Sequence, residues 1–332
     1  MLCSRCVLPE SKPDIWLDEE GICNLCRDHE NVNSDLSNDK LLETDFIKIL
    51  NKHRGKHKYD CLVMCSGGKD STASLYYIKK RYRMNPLAFT FDHGFETKEA
   101  KENVNNAVEV LGVDHIYFKT DFMKDMFAKI IKTGSKAVLC HPCSIWYMQL
   151  TFDIAARYKT PLIIAGWTKG QSAKQGMKSK YGRDLSAPEF RLMAEATKDF
   201  FSTLKKDPNY NKFPTTMDEV VKKAKKQHKC TVLSPHWFLN SDPEEYVELI
   251  KKELNWKNPK LSYPANSTNC SLNFLSVYFS LKYYGYTHYH VEMSKLVRQG
   301  LMSRKKALEY LEPNFDKELL NEIAKRLGCK IE

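Results

Sequence analysis

The stretch Tyr59-Asp60-Cys61-Leu62-Val63-Met64-Cys65 runs directly into Ser66-Gly67-Gly68-Lys69-Asp70-Ser71, and this junction decides the fold. An apolar strand that passes through paired glycines into an amphipathic segment, residues 72–82, predicts a strand–loop–helix unit. Two glycines let backbone N–H groups approach a phosphate closely, and the helix dipole favours the negative charge. The lysine adds a cation, and the two serine hydroxyls add donors or a magnesium ligand. The junction therefore predicts an anion-binding site.

The hexapeptide is not a Walker A loop, which needs a longer spacing between its first glycine and Gly-Lys. It resembles the PP-loop of the ATP pyrophosphatases, which split ATP between its α- and β-phosphates and adenylate a substrate. The resemblance implies that residues 66–71 bind ATP, that Lys69 neutralises the leaving pyrophosphate and that Asp70 binds Mg²⁺. Asp70 has an alternative role, which is to cap the helix that follows. We therefore expect an ATP-using enzyme.

Strands and helices alternate along the first half of the chain. Strands are predicted at residues 59–65, 86–91, 115–118 and 161–165. Helices are predicted at 97–111, with Thr97 as N-cap and Gly112 as stop signal, and around 145–158. This alternation predicts an α/β fold with a doubly wound parallel sheet. Beyond residue 181 the pattern is mainly helical, with helices predicted at 187–206, 217–227, 243–254, 270–283 and 303–327.

Ligands of such sheets bind beyond the carboxyl ends of the strands. The segments Ser66–Ser71, Asp92-His93-Gly94 and Gly166-Trp167-Thr168 follow three predicted strands, so we expect them to face one cleft. Asp92 is a candidate ligand for Mg²⁺ or the ribose of ATP, or else it shapes a turn with Gly94. His93 is a candidate proton carrier or a surface residue, and Gly166 would leave room for the adenylate.

Two cysteine pairs near the N-terminus have the spacing of a metal site. Cys3 and Cys6 form one Cys-x2-Cys pair, Cys23 and Cys26 form a second, and 16 residues separate the pairs. Two such knuckles close on a tetrahedral zinc ion, and few apolar residues are present to fold this segment otherwise. We predict a structural zinc ribbon, because four thiolates leave no open position for catalysis.

A second cysteine group is more ambiguous. Cys140 and Cys143 form a pair just ahead of a predicted helix, and Cys270 is a candidate third member. Three thiolates can hold a [4Fe-4S] cluster with one iron left open, and a catalytic role would follow. The trio can instead bind zinc with His141, form a redox pair, or consist of packed thiols.

Composition indicates a globular protein of 332 residues with 42% hydrophobic and 28% charged residues. The sequence shows neither a secretory signal nor an apolar run of membrane-spanning length, so we expect a cytoplasmic location and no membrane partner. The net charge of +11 suits RNA or an anionic nucleotide-linked substrate, or reflects solvated lysine-rich helix faces. We divide the chain into a ribbon and linker (1–40), a nucleotide domain (41–185) and a helical substrate or partner region (186–332).

Taken together, these segments resemble the N-acetyl sugar amidotransferases of lipopolysaccharide and sialic-acid-like sugar biosynthesis. The resemblance begins at residues 3–9 and 18–26, continues through the loop, and includes 234–237, 282–286 and 297–304 near the end. It implies adenylation of an acetamido sugar, followed by displacement of AMP by ammonia from a glutaminase partner. Its cofactors would be ATP, Mg²⁺ and Zn²⁺.

Two alternatives remain open from the sequence. The trio of Cys140, Cys143 and Cys270 resembles the iron–sulfur enzymes that thiolate tRNA through the same adenylation, so a sulfur transferase is the first. The second is a zinc-ribbon RNA-binding protein whose nucleotide loop is regulatory. An oligomer is compatible with all three hypotheses.

Overall fold

The structure is a computed structural model that describes residues 1–33, 42–171, 188–239, 242–264 and 269–331. The domain boundaries predicted after residues 40 and 185 lie outside these ranges. Within the described residues, no helix is both long and apolar enough to cross a membrane.

Five parallel strands form one sheet in the order β3-β2-β1-β4-β5. The strands are β1 (Cys61–Met64), β2 (Pro86–Asp92), β3 (Asp114–Lys119), β4 (Leu162–Ile164) and β5 (Thr231–Leu233). The chain moves outward from β1 to β3 and then returns to place β4 on the other side of β1. The strand order therefore reverses between β1 and β4, which is where doubly wound folds bind ligands.

Fourteen α-helices are present within the described residues. They are α1 (Asn24–Asn33), α2 (Glu43–Asn51), α3 (Lys69–Tyr76), α4 (Lys98–Leu111), α5 (Phe122–Lys132), α6 (Cys140–Arg157), α7 (Arg191–Leu204), α8 (Met217–His228), α9 (Pro235–Phe238), α10 (Pro243–Leu254), α11 (Leu272–Tyr284), α12 (His288–Arg298), α13 (Arg304–Leu311) and α14 (Lys317–Arg326). A π-helical turn, Tyr77–Arg81, continues α3.

Alternate residues of the strands feed two separate cores. Leu62 and Met64 of β1 pack on one face with apolar residues of α5, α6, α8, α11 and α14. Cys61 and Val63 pack on the other face with α2, α3, α4, α9 and α10. Both faces of the sheet are covered, as the continuous apolar runs of parallel strands require. The predicted doubly wound sheet and helical C-terminal region are confirmed.

Several boundaries differ from those predicted, for local reasons. The helix expected from residue 145 begins at Cys140, so Cys140 and Cys143 lie in its first turn rather than ahead of it; Pro142 is tolerated there because the first turn needs no intrahelical N–H bond. The run 303–327 divides into α13 and α14, since Pro313 interrupts it and Asp316 caps the second helix. The strand β5 and the helices α1, α2, α5, α9 and α12 were not predicted.

The N-terminal cysteine segment docks on the C-terminal helices rather than standing apart. Arg304 donates to the carbonyl oxygens of Cys3 and Cys6 at 3.0 and 2.9 Å. Arg191 of α7 forms two bonds of 2.8 and 2.9 Å with the carboxylate of Asp14. A third apolar cluster lies between the cysteine segment and these helices, and it contains the four cysteines and Tyr286.

Candidate active site

A cavity of about 250 Å³ lies at the switch point of the sheet. The loop after β1 contributes Ser66, Gly68, Asp70 and Ser71, and the segment after β4 contributes Gly166 and Trp167. Apolar residues make most of the remaining wall, including Met64, Ile145, Met148 and Val232. Two of the three segments predicted to share a cleft therefore meet here, whereas Asp92 and His93 do not line the cavity.

Distant side chains engage two carbonyl oxygens of the loop, those of Ser66 and Gly67. The Asn269 amide donates to the Ser66 carbonyl at 2.5 Å, and the Trp256 indole donates to the Gly67 carbonyl at 3.0 Å. Asn103 also donates to the Gly67 carbonyl, at 3.2 Å. Because the first N–H groups of α3 have no intrahelical acceptors, they remain for an anion. The loop thus has the polarity of a phosphate site.

Two glycines are required by the close packing around the loop. Gly67 has φ +78°, and a Cβ atom there would lie 2.1 Å from the carbonyl oxygen of Ala100. A Cβ atom on Gly166 would lie 2.5 Å from the backbone nitrogen of Ser71. Gly166 therefore allows β4 to approach the loop backbone, which is a packing role that the sequence did not predict.

Hydroxyl groups brace the loop internally. The Ser71 hydroxyl donates to the Gly68 carbonyl at 3.1 Å and accepts from the Ser66 N–H at 3.1 Å. The Ser66 and Ser71 hydroxyls also lie 3.1 Å apart. These bonds fix the turn of the loop and leave Ser66 and Ser71 at the cavity wall.

Asp70 is held as an ionised carboxylate beside Lys69. The Lys69 ammonium lies 2.7 Å from one carboxylate oxygen, and the Tyr246 hydroxyl donates to the other. Burial opposes ionisation, but the Lys69 charge and these hydrogen bonds outweigh it and lower the pKa of Asp70. His236 contacts the Asp70 carbonyl oxygen at 2.9 Å. Gly68, not Asp70, occupies the N-cap position of α3, so the side chain is directed to Lys69 and Tyr246.

Asp92 is occupied by protein donors. The Gly94 N–H donates to one carboxylate oxygen at 2.7 Å, and this bond forms the turn that the sequence predicted as one role of Asp92. Lys101 and the Tyr117 hydroxyl bind the other oxygen. Although burial opposes ionisation, hydrogen bonds from Glu96, Tyr117 and Lys101 lower the pKa of Asp92.

His93 is buried rather than at the surface. Its Nε2 atom lies 3.2 Å from Glu96 and 3.7 Å from the Cys270 sulfur. Burial lowers the pKa of His93 to about 4, so the imidazole is neutral at pH 7. Burial and the neighbouring Asp92 raise the pKa of Glu96 to about 8.

The structure brings Cys140, Cys143 and Cys270 into one region beside the cavity. His141 and Ser144, from the same turn as the first two cysteines, line the cavity, as does Asn269 next to Cys270. All three cysteines are half-buried as residues, and burial raises the pKa of the Cys143 and Cys270 thiols. Cys270 also pairs with Glu96 through an isolated β-bridge.

The four N-terminal cysteines form a buried metal-type cluster. Their sulfur atoms all lie within 4.8 Å of one another, and none forms a disulfide. Within the described residues this is the only such group of three or more Cys, His, Asp or Glu side chains. The cluster fits a metal such as zinc, held by four thiolates in tetrahedral geometry.

Sequence reasoning missed the residues that shape the loop from afar, namely Asn103, His236, Tyr246, Trp256 and Asn269. They lie 36 to 203 residues from their partners, and no local spacing connects them to the loop. His236 falls within the segment 234–237 of the family resemblance, which gave it no role of its own.

Residues 60–144 match the family model described as queuosine biosynthesis protein QueC. The uncharacterized protein MJ1599 of Methanocaldococcus jannaschii is 27% identical over 335 residues, covering all of both chains. Among solved structures, the U34-tRNA thiolase NcsA from Methanococcus maripaludis, with its [4Fe-4S] cluster, is similar at a TM-score of 0.36 and 16% identity, covering 95% of this chain and 90% of that one. NMN synthetase from Francisella tularensis is similar at a TM-score of 0.41 and 11% sequence identity, covering 87% of this chain and 97% of that one.

The family-model match spans β1, the loop, β2 and the start of α6, so it includes the loop side of the cavity but not the walls that β4, α8 and the C-terminal region contribute. Together with the strand order and the loop, it supports the PP-loop ATP pyrophosphatase superfamily and an ATP pyrophosphatase-type enzyme.

Proposed function

We propose that this chain adenylates an N-acetyl sugar with ATP and then transfers ammonia to it, releasing AMP and pyrophosphate. The observation that carries the proposal is the loop of residues 66–71, which lines a cavity at the switch point and whose Ser66 and Gly67 carbonyls are engaged by distant side chains. The sequence resemblance to the N-acetyl sugar amidotransferases supports the acceptor. A glutaminase partner would supply the ammonia.

Each part of the site has a role in this reaction. The apolar cavity holds the adenosine, and the loop N–H groups bind the phosphates. An acceptor oxygen attacks the α-phosphorus, the bond to the bridging oxygen of the β-phosphate breaks, and Lys69 offsets the charge of the departing pyrophosphate. Ammonia then attacks the activated carbon, and AMP leaves with the oxygen. The ionised Asp70 fits a Mg²⁺ ion, which would add positive charge against the polyphosphate.

The test is the product and rate of ATP consumption in Lys69→Ala, with Lys80→Ala as the matched control. Lys80 is an exposed lysine just beyond α3. We expect wild type and Lys80→Ala to form AMP and pyrophosphate, and the rate of Lys69→Ala to fall about 100-fold or more. Release of ADP and phosphate, or full activity of a folded Lys69→Ala variant, would contradict the proposal. For the zinc-ribbon RNA-binding protein, in which the loop serves only regulation, Lys69→Ala should leave RNA binding largely intact.

Cluster-dependent sulfur transfer to tRNA is the second candidate, and the cysteine trio beside the cavity favours it. Three thiols from two segments suit a [4Fe-4S] cluster in number and type. The ligands of such a cluster also lie farther apart than the ligands of a single metal ion. Held by Cys140, Cys143 and Cys270, such a cluster would supply the sulfur-transfer chemistry. The thiols would then have to be deprotonated against burial that raises the pKa of Cys143 and Cys270.

Metal and acid-labile sulfide content after anaerobic purification separates the two candidates. One zinc without iron or sulfide supports amidotransfer, whereas one zinc with about four irons and four sulfides supports sulfur transfer. Cys140→Ser tests the same point by activity, with Cys230→Ser as the control. Retained activity of folded Cys140→Ser contradicts sulfur transfer.

A further inference from the structure

A second cavity, of about 840 Å³, lies on the other side of Lys69 and Asp70. Its walls come from α10, α12, α13 and the segment after β4. We propose that this cavity holds the acceptor, and that the acceptor is a small, phosphate-free polyhydroxyl compound rather than a nucleotide-linked sugar or an RNA. The proposal rests on the adenylation proposed above and adds to it the place and chemical class of the acceptor.

The position of the cavity supports an acceptor site. Asp70 lines both cavities, so the loop between them is the point at which their contents meet. An acceptor in the second cavity would present an oxygen to the α-phosphate of an ATP bound from the first side, which is the arrangement that in-line attack needs. The first cavity, of about 250 Å³ and largely apolar, suits a nucleoside and leaves no space for a second substrate.

The charge of the lining opposes a phosphorylated acceptor. Carboxylates outnumber ammonium groups; the former are Asp70, Asp242, Glu244, Glu245, Glu248 and Glu292, and the latter are Lys69, Lys169, Lys251 and Lys306. Three of the lysines already lie 2.7 to 3.3 Å from carboxylates of the same cavity. A chain with a net charge of +11 thus presents a negative wall at this place. Phosphate groups would meet like charge there, which lowers affinity.

The same lining suits hydroxyl and amide donors. Carboxylate oxygens accept hydrogen bonds from sugar hydroxyls and from an amide N–H. Glu245, at the start of α10, has no ion-pair partner within the described residues, and Glu248 lies one turn further along the same face. Both Glu292 oxygens are already bound, by Thr168 and Gln171. Tyr310 and the methionines Met293 and Met302 add apolar surface for the C–H faces of a ring.

Methionine methyl NMR of the full chain tests this proposal, because each cavity has its own methionines. Met64, Met148 and Met217 line the first cavity, and Met293 and Met302 line the second. The probes are α,β-methylene-ATP with Mg²⁺, N-acetylglucosamine, UDP-N-acetylglucosamine and total tRNA. We expect the ATP analogue to shift the first set, and N-acetylglucosamine to shift Met293 and Met302 at lower concentration than UDP-N-acetylglucosamine or tRNA.

The double variant Glu245→Gln and Glu248→Gln should weaken N-acetylglucosamine binding about tenfold. Glu253→Gln, on the same helix but outside the cavity lining, is the control and should bind as wild type. Absence of sugar-induced shifts at Met293 and Met302, tighter binding of the nucleotide sugar or tRNA there, or an unchanged double variant would overturn the proposal. Failure of the ATP analogue to shift the first set would instead refute the proposed adenylation, and the two failures are read from different signals.

Discussion

Replacing Gly166 by alanine tests how closely β4 must approach the loop. The new Cβ atom would lie 2.5 Å from the Ser71 backbone nitrogen and 2.8 Å from the Asp70 carbonyl carbon. Backbone atoms cannot rotate aside, so the loop must retreat by about 0.9 Å to regain an ordinary contact of 3.4 Å. A misplacement of about 1 Å costs about 100-fold in rate, so we expect kcat/KM for AMP formation to fall by that factor.

The assay measures AMP and pyrophosphate formation together with thermal unfolding. Gly112→Ala is the control, because Gly112 has φ +57° and no atom within 4 Å of a new Cβ atom. This control bears backbone strain of about 1 kcal/mol without touching the loop. It should lose stability and keep its KM for ATP. Near wild-type kcat/KM in folded Gly166→Ala would refute the argument that the packing of β4 positions the loop.

Three further predictions concern Asp70, the metal cluster and the docked ribbon. Tyr246→Phe removes a hydrogen bond that lowers the pKa of Asp70, so the pKa of Asp70 should rise and the acidic limb of the pH–rate profile should move to higher pH. Tyr283→Phe, which lies outside both cavities, is the control and should leave that limb in place. Cys23→Ser should lose the bound metal equivalent and lower the thermal midpoint by several degrees, whereas Cys329→Ser should keep the metal, as metal analysis will show. Arg304→Ala should cost about 1–3 kcal/mol in the free energy of unfolding, because it leaves two carbonyl oxygens without their donor; an unchanged denaturant midpoint relative to Lys305→Ala would contradict this.

The features that the sequence predicted well are those with local chemistry. Thr97 caps α4 by accepting from the Ala100 N–H at 3.1 Å, and Gly112 ends the same helix with φ +57°, because both signals depend only on neighbouring residues. The strand-to-helix junction at residues 61–69 is equally local. The paired cysteines at residues 3–26 were also predictable from local sequence, because a metal site of this type has a characteristic spacing between its ligands.

What the sequence could not give depends on contacts between distant segments. The short strand β5 is set by pairing with β4, and three residues carry no periodicity of their own. His93 follows a strand as an exposed loop residue would, yet Phe95 and Phe127 pack around it and make it buried. Asp92 stands where a ligand was expected, but Tyr117 and Lys101 occupy it, and their distance in sequence hides this.

The conformation of the loop at residues 66–71 depends on the C-terminal region as well as on the loop itself. Paired glycines are free to turn either the N–H or the C=O toward a ligand, and a carbonyl oxygen would repel a phosphate. Asn269 and Trp256 restrict this choice, because each donates to a loop carbonyl and thereby engages an oxygen that would otherwise be available to face a ligand. Tyr246 does the same for the Asp70 carboxylate, which it holds beside Lys69. The helical region that follows the sheet therefore shapes the candidate anion site together with the six-residue motif.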